Sequence, residues 1–340
     1  MKRIISLLLV LVILMAMNAC SGTKTAGDAD KLPASVTYPL TVTDQAGREV
    51  VIEAEPQTLV SGYYISTSAL IALGLDDRMV GIEAKADKRA IYQLASPALP
   101  TLPSVGSAKE FDLEGCAALD PDLVILPLKL KDAAETLSAL DIDVLLVNPE
   151  NQTLLEDMIR LIASAANVGA AANELLGFTD AKEDELATLL DGAETPRVYL
   201  AGNSDFLSTA GAGMYQSDMI AMAGGVNAAA EISDTYWVNV SYEQLLAWDP
   251  EYIILASDAS YTAADVMADP NLAACKAVTS GNVYQMPGDA EAWDSPVPSG
   301  ILGAVWLANV LHPDVITADA AKDTYNSFYE TFYGFTYLED

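Results

Sequence analysis

Lys85, Lys88 and Arg89 put three positive charges within five residues, in a chain whose formal net charge is −31. They follow Met79–Glu83, a short run of strand character, in the segment KADKRAIY that also carries Tyr92. In layered α/β proteins ligands sit outside the carboxyl ends of the strands, so this segment is placed to meet one. A guanidinium grips carboxylates and oxyanions through a planar fork of donors, and lysine adds a point charge. A solvated loop would use the same residues, and the sequence leaves that choice open. Aromatic side chains gather at other loop starts: Tyr63 and Tyr64, Tyr215, Tyr236 with Trp237, and Trp293 just before Asp294-Ser295-Pro296. Such rings offer large contact area with a polar tip. Singly, each reads as readily as a core residue. As a set at loop positions they mark a cleft.

The same inventory argues against catalysis. His312 is the only histidine and stands before Pro313 at an expected helix end. It has no partner for a zinc site and excludes a histidine-based triad. There is no G-x-S-x-G and no P-loop, and Gly211-Ala212-Gly213 lacks the third glycine of a dinucleotide turn. The expectation is a binding protein with no cofactor, no resident metal and no catalytic residue. So acidic a chain is repelled by phosphate backbones, which excludes nucleic acid as a partner. Beyond Arg197 the only basic residues are Lys276 and Lys322, so a cationic grip on an anionic ligand falls to the first half. Cys116 and Cys275 read as small buried hydrophobes in a chain large enough to need no disulfide.

A second pair of acids stands out by position. Phe111–Leu126 (FDLEGCAALDPDLVIL) and Val240–Leu255 (VSYEQLLAWDPEYIIL) align without gaps and share Glu114/Glu243, Asp120/Asp249 and Pro121/Pro250. Each reads as one unit: a capping Asp112 or Ser241 starts a short helix, Asp-Pro stops it, and a buried strand follows. An acid in the first turn of a helix is mildly stabilising wherever it occurs. The same acid in both halves asks for a further reason.

Elements that must hold these residues follow from the pattern. Val36–Thr43 and Glu49–Glu53 read as an opening hairpin around Asp44–Gly47. Leu59–Gly62, Met79–Glu83, Leu123–Leu126 and Val144–Val147 read as strands of a first lobe, with helices at Ser66–Leu73 and Ala133–Leu140. Val198–Ala201, Tyr252–Ala256 and Val283–Met286 read as strands of a second, with helices at Met214–Ala223 and Ile301–Val310. Between them Ala170–Asp191 has no proline and mostly good helix formers. Its apolar face runs through Leu175, Phe178, Lys182, Leu186 and Leu189, with Glu183-Asp184-Glu185 on the other side. A helix of this length reaches roughly 33 Å, enough to join two lobes.

The first residues are read as an address. Met1-Lys2-Arg3 is basic, and Ile4–Met17 is an uncharged apolar run too short to span a bilayer, the pattern of a secretory signal. Met17-Asn18-Ala19-Cys20 resembles the lipobox of bacterial lipoproteins, with Met17 where leucine is usual. Residues 1–19 are therefore expected to be a signal peptide and Cys20 the lipidated N-terminus. Residues 20–35 form a tether, 36–169 one α/β lobe, 170–192 the joining helix and 193–340 the other lobe.

VTDQAGREV, ALGLDDRMVGI, VGSAKEFDLE with LDPDLVIL, the long helix, VSYEQLLAWDPEYIIL and LGAVWLANVLHP occur in an order that resembles the class III solute-binding proteins of ABC importers. The resemblance implies two Rossmann-like lobes joined by one long α-helix, with the ligand in the cleft between them. It implies Glu114 and Glu243 as the acids that meet the permease, and the permease with its ATPase as partners. It implies a monomer outside the cytoplasm, anchored at the membrane by lipid. Tyr63, Tyr64, Lys85, Lys88, Arg89, Tyr92, Tyr215, Tyr236, Trp237 and Trp293 are the candidate ligand contacts. An iron complex, siderophore or haem, is the first expectation for the solute, a corrinoid or a molybdate or tungstate oxyanion the alternative. Thr67-Ser68 stands where many members have Thr-Glu, so the first-lobe edge of the cleft differs from theirs.

Overall fold

A computed structural model describes residues 31–233 and 236–338. The expected signal segment, Cys20 and the tether up to residue 30 lie outside the described residues. Strands β1 (Leu40–Thr43) and β2 (Glu49–Ile52) pair as the antiparallel hairpin. The hairpin's first strand begins at Leu40, later than the expected Val36, because Pro39 has no N–H to give to a ladder. Gly47 closes the turn at φ +76, and Asp44 accepts hydrogen bonds from the Ala46 and Arg48 backbone.

The first lobe continues with β3 (Leu59–Ser61), α1 (Tyr64–Ala72), β4 (Met79–Gly81), α2 (Ala90–Ala95), α3 (Leu113–Ala118), β5 (Leu123–Pro127), α4 (Lys131–Ser138), β6 (Asp143–Val147) and α5 (Gln152–Ala165). Its sheet has the order β4-β3-β5-β6 and is parallel throughout. Every residue of β5 is buried, the unbroken apolar run of a parallel strand covered on both faces. Helix α6 (Gly169–Leu189) leads to the second lobe. There β7 (Arg197–Ala201), β8 (Ser208–Ala210), α7 (Tyr215–Met222), β9 (Val226–Asn227), β10 (Trp237–Asn239), α8 (Tyr242–Trp248), β11 (Tyr252–Leu255), α9 (Ala263–Met267), α10 (Lys276–Ser280) and β12 (Val283–Gln285) precede α11 (Gly300–Leu311) and α12 (Ala318–Phe332). The order is β10-β8-β7-β11-β12 with β9 also on β7; β7, β9, β11 and β12 are parallel, β8 runs against them, and β10, antiparallel to β8, returns to their direction. Cys116 and Cys275 are free and buried. Among the described residues no helix is long and apolar enough to cross a membrane.

Hydrogen bonds tie the lobes together. The Tyr215 N–H donates to the Glu150 carbonyl at 2.8 Å, and the Gln152 N–H donates to Asp218 Oδ2 at 3.0 Å. The hydroxyls of Ser68 on α1 and Tyr333 just past α12 meet at 2.9 Å.

Helix α6 departs from its expected faces. Leu175, Leu176, Thr179 and Leu186 are buried, but Leu189 is exposed. Glu183, expected on the solvent side, has one carboxylate oxygen buried with no hydrogen-bond partner. The face turns toward α5 and α7, whose Glu156 and Asp218 lie near it together with Asp180 and Asp184. Burial first, then these neighbouring charges, push its carboxyl up to about 7. The native state therefore holds this proton more tightly than the unfolded chain. The stability it contributes is complete below the ordinary glutamate range and is lost as pH rises through about 7. Glu183→Gln is expected to raise the melting temperature at about pH 8 and leave it nearly unchanged at about pH 4, read by paired thermal melts.

Candidate functional site

The carboxyl ends of the parallel strands in the two sheets face a common cavity, as the general rule for open α/β sheets requires. Its volume is about 100 Å³. The first lobe lines it with Tyr64, at the start of α1 after β3, and with Lys88, Arg89 and Ile91 from the segment after β4. The second lobe contributes Asp258 after β11 and Gly288, Ala290, Glu291, Ala292 and Ser295 from the loop after β12. Tyr64 and Ser295 reach across, with 3.5 Å between their hydroxyl oxygens.

Arg89 is the central cation. Its guanidinium carbon lies 4.1 Å from the centre of the Tyr64 ring, close enough for a cation–π contact. Its Nε is 3.3 Å from Glu83 Oε1, too poorly aligned for a hydrogen bond. Glu83 is buried behind it and accepts from Thr67 Oγ1 and from the Tyr92 hydroxyl, each at 2.7 Å. Burial pushes the Glu83 carboxyl up, opposed by those two hydroxyls and by Arg89. Thr67 is in turn fixed by Ser61 at 2.8 Å. Ser61, Thr67, Glu83 and Tyr92 thus satisfy one another in one buried network that backs onto the guanidinium.

The ten expected contact residues fall in four different places. Tyr64, Lys88 and Arg89 line the cavity. Tyr63 packs edge-on against Tyr64 at 5.4 Å, one step behind it. Lys88 is an exposed rim charge, 2.9 Å from Asp87. Lys85 is exposed and outside the cavity lining, held in the left-handed region at φ +66. Three expected contacts are corrected to core positions. Tyr92 is fully buried and serves Glu83; Tyr215 is 1% exposed in the second-lobe core; Trp293, also 1% exposed, donates its Nε1–H to the Tyr329 hydroxyl at 2.8 Å and packs on Tyr325 and Tyr337. An aromatic ring this large at a loop start serves the apolar layer beneath the loop better than the cleft above it. Tyr236 and Trp237 are exposed at the edge strand β10 and do not line the cavity.

Sequence reasoning missed the second-lobe acids. Glu291 accepts from the Ser299 hydroxyl, and burial pushes its carboxyl up against the opposing pull of Ser299, Ser68 and Arg89. Asp294 is buried behind the cavity and accepts from Ser257 Oγ at 2.6 Å; burial raises its carboxyl too. Both belong to the loop that the sequence marked through Trp293. The legible signal was two acids flanking an aromatic between a strand and a long apolar helix.

Glu114 and Glu243 are away from this cavity. Each is the second residue of its helix, α3 or α8, and exposed. Asp112 caps α3 by accepting from the Gly115 N–H, and Ser241 caps α8 by accepting from the Gln244 N–H. An aspartate with positive φ follows each helix, Asp120 at +48 just past the Leu119 cap of α3 and Asp249 at +44 as the cap of α8, each ahead of a proline. The sequence repeat is a repeat of backbone conformation as well.

Residues 59–290 match the family described as periplasmic binding protein, and the chain belongs to that family. It is 27% identical over 323 residues to the molybdate-binding protein MolA of Haemophilus influenzae, covering 86% of this chain and 91% of MolA. The molybdate-bound structure of MolA superposes with a TM-score of 0.78 at 25% identity, covering 88% of this chain and all of MolA's. A cobalamin-binding protein of Halobacterium salinarum is 23% identical over 300 residues, covering 85% of this chain and 78% of that protein. The chain is the extracytoplasmic solute-binding component of an ABC importer, which works with a permease and an ATPase. It is a carrier and not an enzyme.

Proposed function

We propose that the solute is a compact oxyanion of the molybdate or tungstate kind, held between the lobes by Arg89. The observation that carries this reading is the cavity itself: about 100 Å³, closed across by Tyr64 and Ser295, with a guanidinium stacked at its wall. Sites for drug-sized ligands run from roughly 300 to 1,000 Å³. A ferric siderophore, haem or corrinoid would need the lobes to part well beyond this arrangement. The molybdate-binding relative points the same way, and the oxyanion therefore moves ahead of the iron complex first expected from the sequence. Lys88 at the rim adds long-range attraction for an anion. Glu114 and Glu243 are the proposed permease contacts, and Cys20 the proposed lipid anchor of a chain exported by residues 1–19.

The test is to purify the protein from membranes of its own host and titrate it with molybdate, tungstate, sulfate, a ferric siderophore, haem and cobalamin. Saturable binding of the two heavy oxyanions is expected, with intact mass showing a diacylglyceryl-modified N-terminal Cys20. Tight binding of haem, siderophore or cobalamin with none of molybdate would overturn the oxyanion reading, and an unmodified Cys20 the anchor.

A further inference from the structure

Charge around the cavity does not suit an anion as it stands. Arg89 and the rim residue Lys88 are the only cations that line it among the described residues. Arg89 already faces Glu83, and Lys88 already faces Asp87. From the second lobe Glu291 and exposed Asp258 line the same space, and Asp294 lies behind it. With every carboxyl ionised, a dianion entering this space would meet Glu291 at short range in a water-poor setting, where like charges repel most strongly.

Glu291 is the member of this set that can change sides. It belongs to the cavity wall, whereas Glu83 is enclosed by Thr67, Tyr92 and Arg89, and Asp294 is held by the Ser257 hydroxyl and N–H. The groups that face Glu291 are Arg89 and Tyr64 from the first lobe, Ser68 of α1, Ser299 ahead of α11, and Tyr329 and Tyr333 at the end of the chain. All but Arg89 are neutral at ordinary pH, and the phenols of Tyr64, Tyr329 and Tyr333 are pushed further from ionising by burial and by Glu291 itself. Arg89 is thus the single opposite charge among the groups that face Glu291, and it is also the group an arriving anion would engage.

Resting on the oxyanion reading above, we propose that Glu291 is a specificity-determining residue that takes up one proton from solvent when a fully deprotonated oxyanion binds. The anion takes up the charge of Arg89, which until then also attracts Glu291. The carboxyl becomes neutral and turns from a repelling charge into an O–H donor toward an oxo oxygen of the solute. Binding and proton uptake are then one linked event. The cleft loads better in more acidic surroundings and releases more readily in alkaline ones.

Titration of the purified full chain with molybdate, by calorimetry in buffers of different ionisation enthalpy, reads this directly. The expected result is uptake of about one proton per anion, with affinity falling up to about tenfold per pH unit between about pH 6 and pH 9. Glu291→Gln keeps the shape and an N–H donor but cannot titrate. It is expected to bind molybdate with an affinity that no longer changes over that range. Because the wild-type proton count needs no variant, a poorly folding mutant does not spare the proposal. Molybdate binding with no proton uptake and no pH slope overturns it, as does a full slope in a folded Glu291→Gln protein. Failure of wild type to bind molybdate or tungstate at any pH removes the oxyanion reading, and this inference falls with it.

Discussion

Replacing both Glu114 and Glu243 with alanine is expected to abolish solute uptake while leaving solute affinity unchanged. Both carboxylates are exposed, outside the cavity lining and on capped helices that do not depend on them. Each acid complements the partial positive charge at its helix start, but at an exposed position solvent screens that effect to a small one. Alanine should therefore shift the thermal midpoint only slightly. Uptake is different if these acids dock on the permease as proposed, because two separated charges would fix the orientation of the carrier as well as its attraction. One charge retained leaves attraction without orientation, so each single variant should slow uptake. Ligand titration on purified protein and uptake in vesicles with the cognate permease separate the two properties. Normal uptake by the double variant would end the docking reading; weakened solute affinity in a single variant would put that acid in the wrong place.

How far the sequence reached follows from what each residue type reports. Apolar runs bounded by proline, glycine or aspartate are one-dimensional signals, and β3, β5, β6, β7 and β11 fall within a residue or two of expectation. The repeat was legible because Asp120-Pro121 and Asp249-Pro250 impose the same backbone stop. Helix α6 was legible as a helix but not in its faces, since Glu183 sits where charges from two other elements, Glu156 of α5 and Asp218 of α7, converge and no periodicity within one helix reports that. Helices α5 and α12 were left unassigned, although α5 buries Leu155, Met158, Ile159 and Ile162 at regular helical spacing. Cleft contacts were the least legible. Trp293 and Ser295 are two residues apart in one loop, yet the first is sealed among Tyr325, Tyr329 and Tyr337 and the second lines the cavity. Side-chain direction in an irregular loop is decided by what packs beneath it. Position in the sequence carries the loop to the right place but not the residue. Charge was more informative than aromaticity: the scarcity of cations beyond Arg197 placed the cation in the first lobe, where Arg89 lies.

Arg89→Ala is expected to weaken molybdate binding by about tenfold to a hundredfold, or roughly 1.5–3 kcal/mol, the usual worth of a charged hydrogen-bond partner lost from a site. The loss is larger than for Lys88→Ala, because Lys88 is exposed and screened by solvent and by Asp87. Folding should survive. Glu83 keeps its bonds from Thr67 and Tyr92, and burial already favours its neutral form, so it can take up a proton once Arg89 is gone. Arg89→Lys separates charge from geometry. Lysine restores the positive charge but not the planar group stacked on Tyr64 or the fork of donors, so it should recover only part of the affinity. Full recovery by lysine would mean that the site needs a charge alone and that the Tyr64 stack and the Glu83 network are incidental to it. Equal affinity of wild type and Arg89→Ala, measured under one buffer and one ionic strength, would move the guanidinium out of the binding role altogether.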